Sequence, residues 1–132
     1  MDYIMVDTSS ILFGMSYRKS ALEAVKTKFP GLKPLVSKGI ISELNKLSLN
    51  KGKKGAAAKA ALAEITLKKI DVEGVTGYAD SWILARAARF EGSVVVTNDT
   101  ELARKLMNLH ASVFKMSKNG FLSRFNLAES NK

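Results

Sequence analysis

The chain has 132 residues, 46% apolar and 25% charged, the mix of one globular domain, expected to span residues 1–132. It holds no cysteine and a single histidine, His110, which excludes disulfides and cysteine-held zinc and leaves oxygen ligands, hence Mg²⁺ or Mn²⁺, for any metal. The net charge of +9, from 21 Lys/Arg against 12 Asp/Glu, favours a polyanionic partner such as nucleic acid, although a lysine-rich solubility surface accounts for the same number. The first residues, Met1 to Asp7, lack a basic flank and a long apolar run, and no 18-residue apolar stretch occurs. Neither a signal peptide nor a membrane span is expected, and a cytoplasmic location is.

In chain order, Tyr3-Ile4-Met5-Val6 reads as a short strand that stops at Asp7-Thr8-Ser9-Ser10, a cluster suited to a helix start. Leu22, Val25 and Phe29 recur at helical spacing after Ser20, and Pro30-Gly31 ends that helix. Lys33 to Val36 reads as a brief strand, followed by a helix carrying Ile40, Ile41, Leu44 and Leu47 with Glu43 among them. Asn50-Lys51-Gly52-Lys53-Lys54-Gly55 has loop composition, and the alanine-rich run Ala56 to Lys68 favours helix. Ile70 to Val72 suggests a strand, Gly74 and Gly77 bracket a turn, and Asp80 to Phe90 predicts a helix with Gly92 just past its end. Ser93 to Thr97 is the strongest strand signal, a continuous apolar run of the kind covered on both faces. Asn98-Asp99-Thr100 opens a helix to about Leu109, Ala111 to Met116 forms a last strand, and the chain after Ser117 reads as irregular. Strands alternating with helices predict an α/β fold with a parallel sheet and helices on both faces.

In open parallel sheets, sites form beyond the carboxyl ends of the strands. Two of the apolar runs end there in acids, Asp7 and Asp99, while Asp80 opens the helix before the second run and Glu43 lies beside Ile41 and Leu44. Capping explains Asp7, Asp80 or Asp99 taken singly, but not Glu43, which has no helix start to cap. Several carboxylates at one crevice repel one another, and divalent cations relieve the repulsion.

The residues around these acids resemble a known family. Ile4-Met5-Val6-Asp7-Thr8-Ser9 looks like the opening strand and first acid of PIN-domain nucleases, and Ile41-Ser42-Glu43-Leu44 like their helical glutamate. Tyr78-Ala79-Asp80-Ser81-Trp82-Ile83-Leu84 looks like their third motif, and Val96-Thr97-Asn98-Asp99-Thr100-Glu101-Leu102 like their fourth. The resemblance implies a three-layer α/β/α fold with a central, mostly parallel sheet. It also implies Mg²⁺- or Mn²⁺-dependent hydrolysis of RNA to a 5′-phosphate and a 3′-hydroxyl. Asp7, Glu43, Asp80 and Asp99 would then be catalytic acids that hold the metal, supported by Thr8, Ser9, Thr97 and Glu101. Thr76-Gly77-Tyr78-Ala79-Asp80 is most similar to the subgroup that matures small-subunit ribosomal RNA, although the cysteine-rich zinc element of some such relatives is absent here. VapC-type toxins of toxin–antitoxin pairs are also similar.

RNA contacts are expected from Arg18 and Lys19 near Asp7, and from the cluster Lys46, Lys51, Lys53, Lys54 near Glu43, which a solvated loop explains equally well. Trp82, Arg86 and Arg89 share a helix face that could stack on bases and pair with phosphates, or form a homodimer contact. Asp71 and Glu73 read as solvated surface. Expected partners are RNA and ribosome-assembly factors or an antitoxin, with no membrane. A non-catalytic RNA-binding scaffold and a phosphoacceptor domain using Asp7 or Asp99 remain as other classes. The absence of a Walker loop and of Gly-x-Gly-x-x-Gly argues against nucleotide-driven activity.

Overall fold

The structure is a computed structural model and describes residues 2–127; the last residues of the segment read as irregular lie outside them. In chain order the elements are β1 (Tyr3–Val6), α1 (Thr8–Ser16), α2 (Ala21–Lys28), β2 (Lys33–Ser37), α3 (Lys38–Ser48), α4 (Lys53–Leu67), β3 (Asp71–Glu73), α5 (Ala79–Arg89), β4 (Val94–Val96), α6 (Thr100–Asn108), β5 (Ser112–Met116) and β6 (Leu122–Arg124). They form one six-stranded sheet of order β3-β2-β1-β4-β5-β6, parallel except for β6. The chain winds outward from β1 to β3, crosses back through α5, and winds the other way from β4. Helices α1 to α4 pack on one another, and α5 packs on α6. This is the expected three-layer α/β/α arrangement.

The central strands read as apolar runs because both faces are covered. Ile4, Met5 and Val6 of β1 are buried, as are Val95 and Val96 of β4 and Val113, Phe114 and Met116 of β5. Burying one such side chain contributes about 1.5–3 kcal/mol. The direction of winding reverses between β1 and β4, whose paired residues are Met5 with Val95 and Val6 with Val96. That register places the residues after both strands, Asp7 and Thr97-Asn98-Asp99, side by side at the switch point where α/β sheets open a crevice.

Two local expectations are corrected. The segment after Ser117 is not irregular: a turn closed by the Ser117 N–H on the Phe121 carbonyl (3.0 Å) leads into β6, antiparallel to β5. Three residues with a single apolar position carry too little alternation to be read as a strand. The loop Asn50 to Gly55 is shorter than its composition suggests, since α4 begins at Lys53. Gly55 is buried there because a Cβ would fall 1.8 Å from the Asn50 carbonyl oxygen, so glycine marks a close chain crossing rather than an open loop.

Candidate active site

Asp7 is the buried acid of the carboxyl edge, with 6% of its surface exposed. Its backbone N–H donates to the Val96 carbonyl (2.9 Å), continuing the β1–β4 ladder. Although it occupies the N-cap position of α1, its side chain caps nothing. Instead Oδ2 accepts two hydroxyls, Ser9 Oγ at 2.6 Å and Thr97 Oγ1 at 2.8 Å. Both hydroxyls also accept from the backbone that follows β4: Thr97 Oγ1 takes the Asp99 N–H within its own segment and Ser9 Oγ the Asn98 N–H from across the switch point, each at 3.0 Å. The two acid-bearing segments are thus sewn together through Thr97 and Ser9. Asp99 itself does cap, its Oδ1 accepting from the Leu102 N–H (3.1 Å), and remains exposed.

Glu43 reaches the same edge from α3. Its Oε2 accepts from Thr8 Oγ1 (2.8 Å), next to Asp7, and its Oε1 accepts from the Ala79 N–H (3.0 Å). The expectation that Glu43 caps nothing is therefore corrected: it satisfies the first N–H of α5, across 36 residues of chain. This bond fixes the start of α5, and so Asp80, relative to the other acids. Asp80 is exposed, and its Oδ1 accepts from the Ser81 N–H at 2.8 Å. The loop before it is pinned by a close approach, since a Cβ on Gly39 would fall 1.9 Å from the Gly77 carbonyl oxygen. Gly39, Ser42, Glu43, Lys46, Gly77 and Tyr78 line a hollow of about 250 Å³ at this point.

Burial pushes the Asp7 carboxyl above its ordinary pKa; the hydroxyls of Ser9 and Thr97 oppose the shift, and the Asp99 and Glu43 carboxylates add to it. Asp7, Asp99 and Glu43 therefore share one electrostatic neighbourhood, and Asp80 adjoins it through Ala79. In a chain of net charge +9, no ion pair among the described residues includes any of the four. No three acidic or histidine side chains stand together as a ready ligand set among the described residues. Like charges without a counter-ion keep such groups apart. The donors themselves fit a hard divalent cation: carboxylate oxygens, one of them buried and repelled by its neighbours, none held in an ion pair by lysine or arginine among the described residues.

Other expected site residues lie elsewhere. Trp82 is buried, with its Nε1–H donating to Glu73 Oε1 at 2.9 Å, so it presents no ring to a base or to a second copy. Arg86 is paired with Glu73 Oε2 (2.5 Å) and lies over the Tyr3 and Phe90 rings. With Tyr3 and Val94 it lines a cavity of about 560 Å³ at the amino ends of β1 and β4, the opposite end of the sheet from Asp7. The phosphate role expected of Arg86 is corrected on that ground, and the solvated role of Glu73 by its two partners. Glu101 turns to solvent and to Arg104 Nε (3.6 Å), not to the acids it was expected to support. Lys51, Lys53 and Lys54 are exposed beyond the end of α3, while Arg18 and Lys19 are exposed after α1.

Sequence reading missed Ser10 and Asn98. Ser10 Oγ donates to Asn98 Oδ1 (2.6 Å); Asn98 also accepts from the Met116 N–H and donates to the Met116 carbonyl, both at 3.0 Å. This amide ties α1, β4 and β5 together beside Asp99. Its position directly before Asp99, at the end of a buried strand, was the available signal.

An α/β sheet with acids at its switch point defines a broad class of α/β scaffold, and comparison with known proteins narrows it. A family model described as "PIN like domain" matches residues 4–119, and the chain belongs to that family. It is 34% identical over 107 residues to Ribonuclease VapC4 of Methanocaldococcus jannaschii, covering 79% of each chain. Its fold matches the solved structure of the PIN domain endonuclease Utp24 with a TM-score of 0.74 at 20% identity, over 93% of this chain and 92% of the other.

Proposed function

We propose that the protein is an endoribonuclease dependent on Mg²⁺ or Mn²⁺, acting through Asp7, Glu43, Asp80 and Asp99. The observation that carries this reading is the set of acids at the switch point without a basic partner, in a strongly basic chain of the PIN-like family. The similar protein VapC4 is named a ribonuclease, which supports RNA as the substrate.

A divalent cation bound here supplies a water of lowered pKa and neutralises charge on the phosphodiester. The chain's own part is to hold that ion and orient the RNA. Ser9 and Thr97 fix Asp7 Oδ2, so Asp7 offers its other oxygen from a set position. Thr8 and the Ala79 N–H hold Glu43 in the same way. Lys46 lines the hollow beside Glu43 and would meet a phosphate there, and Arg18 and Lys19, exposed after α1, would meet others. A labelled single-stranded RNA should be cleaved with Mn²⁺ and left intact with EDTA, and Asp99→Asn should bind it without cutting it. Equal cleavage in EDTA would remove the metal from the reaction.

For the biological target, the Thr76–Asp80 segment supports ribosomal RNA processing in the cytoplasm, with ribosome-assembly factors as partners. Similarity to VapC4 favours a second reading, a toxin held by an antitoxin. Growth arrest on expression, relieved by a neighbouring gene, selects the toxin; accumulation of precursor ribosomal RNA on deletion selects processing. No helix among the described residues is long and apolar enough to cross a membrane.

A further inference from the structure

The carboxyl edge continues past Asp99. Asn98 is bonded to both backbone groups of Met116, so the turn after β5, Ser117 to Phe121, stands at the same edge as the acids, one strand further on. The end of α1 meets that turn. Gly14 leaves room for Met116, a methyl there falling 3.1 Å from Met116 Cε, and the Lys19 stem lies against Gly120, 3.0 Å from where a Cβ would stand. Two large aromatic side chains are displayed at this junction, Tyr17 at 43% exposure and Phe121 at 65%. Both lie among cations. Lys118 Nζ is 5.9 Å from the Tyr17 ring centre, and Phe121 shares with Lys19 a cavity of about 440 Å³ between α2 and the turn. The one acid lining that cavity, Glu23, is already held by Lys68 Nζ at 2.5 Å. Neither ring is packed into the core.

Exposed rings interleaved with lysines suit single-stranded nucleic acid, whose unstacked bases lie on aromatic faces while its phosphates meet cations. A protein contact is disfavoured by the lysines around the rings, since lysine is depleted at protein–protein interfaces. We propose that Tyr17 and Phe121 are base-stacking platforms of a single-stranded RNA track, with Lys19 and Lys118 on its phosphates. The track leads from the β5–β6 turn past Asn98 to the acids. This extends the ribonuclease reading and supplies what the acids alone lack, a grip on unpaired bases several nucleotides from the cut.

The test is fluorescence anisotropy of a labelled 12-nucleotide single-stranded RNA in EDTA, where cleavage plays no part. Tyr17→Ala with Phe121→Ala should weaken binding roughly tenfold or more, Phe121→Trp should retain it, and Leu67→Ala, an exposed apolar residue on α4, should change it less than twofold. Lys19→Ala with Lys118→Ala should flatten the dependence of log affinity on log salt by about 0.7 per lost phosphate contact. A double aromatic variant that binds as tightly as the parent overturns the proposal. So does parental RNA affinity combined with loss of a concentration-dependent dimer, which would assign the rings to a second copy. If the parent fails to cleave with Mn²⁺ while the aromatic variant still loses affinity, the track stands and the nuclease reading falls.

Discussion

Two places in the molecule treat carboxylates in opposite ways. At the edge strand, Glu73, the last residue of β3, is shared between the Trp82 indole at 2.9 Å and the Arg86 guanidinium at 2.5 Å. On the helical face, Glu23 lies 2.5 Å from Lys68, whose hydrogen bond holds its carboxyl below the ordinary range. At the switch point between β1 and β4, Asp7 has only hydroxyl donors, shares its surroundings with Asp99 and Glu43, and shifts the other way. With 21 Lys/Arg available, pairing would have been easy to supply. An acid that is paired serves the fold, and a buried one left with like charges and no ion pair in a basic protein is suited to a cation from outside. The structure also separates emptiness from chemistry, since a cavity of about 560 Å³ lies beside Arg86, at the amino ends of β1 and β4, away from the acids.

Exchanging single carboxyl oxygens tests this contrast. Asp7→Asn keeps the shape and the hydroxyl bonds but removes the charge, and cleavage should fall by about 10³-fold, or ~4 kcal/mol of barrier. Glu73→Gln should leave the single-turnover rate with Mn²⁺ within twofold. Should Glu73→Gln cut as poorly as Asp7→Asn, the division into structural and functional acids fails. The stability ranking is reversed. Glu73→Ala leaves the Trp82 Nε1–H and Arg86 without their partner, and should cost about 1–3 kcal/mol in urea unfolding. A loss under 0.5 kcal/mol would show that this pairing contributes little.

The acid centre was largely legible because its signals are local. Val6-Asp7 and Thr97-Asn98-Asp99 are apolar runs broken by acids, and strand order alone brings their ends together. What stayed hidden depends on contacts between distant segments. Trp82 reads as available from its helical spacing; only the placement of β3 beside α5 gives it Glu73, nine residues back. Glu43 caps α5 across 36 residues, a relation no helix-start pattern contains. Charge composition likewise favours a polyanion without saying which lysines would face it. The rings that single out one group, Tyr17 and Phe121, become a pair only when α1 and the β5–β6 turn meet.

The smallest expected effect is the most direct measure of what isolation does to Asp7. A carboxyl whose pKa is raised on folding holds its proton more tightly in the folded state. Its favourable contribution is therefore complete below the ordinary carboxylate range, near pH 4, and is lost as pH rises through the raised value. In EDTA at neutral pH, the ionised side chain burdens the fold, and Asp7→Asn should raise stability by ~1 kcal/mol, a few degrees in Tm. That gain should vanish as pH falls below about 4, where both proteins carry a neutral group at residue 7. Glu23→Gln should show the opposite sign at neutral pH, because Lys68 holds the Glu23 carboxyl down. Saturating Mn²⁺ should invert the Asp7 result, since an ion bound only to the folded parent stabilises it by about 2.7 kcal/mol at a hundredfold excess over its Kd. If thermal scans show the parent more stable than Asp7→Asn in EDTA at pH 7, the burial of the Asp7 charge, with like charges beside it, is not a burden on the fold. The reservation of that edge for a cation would then lose its energetic basis.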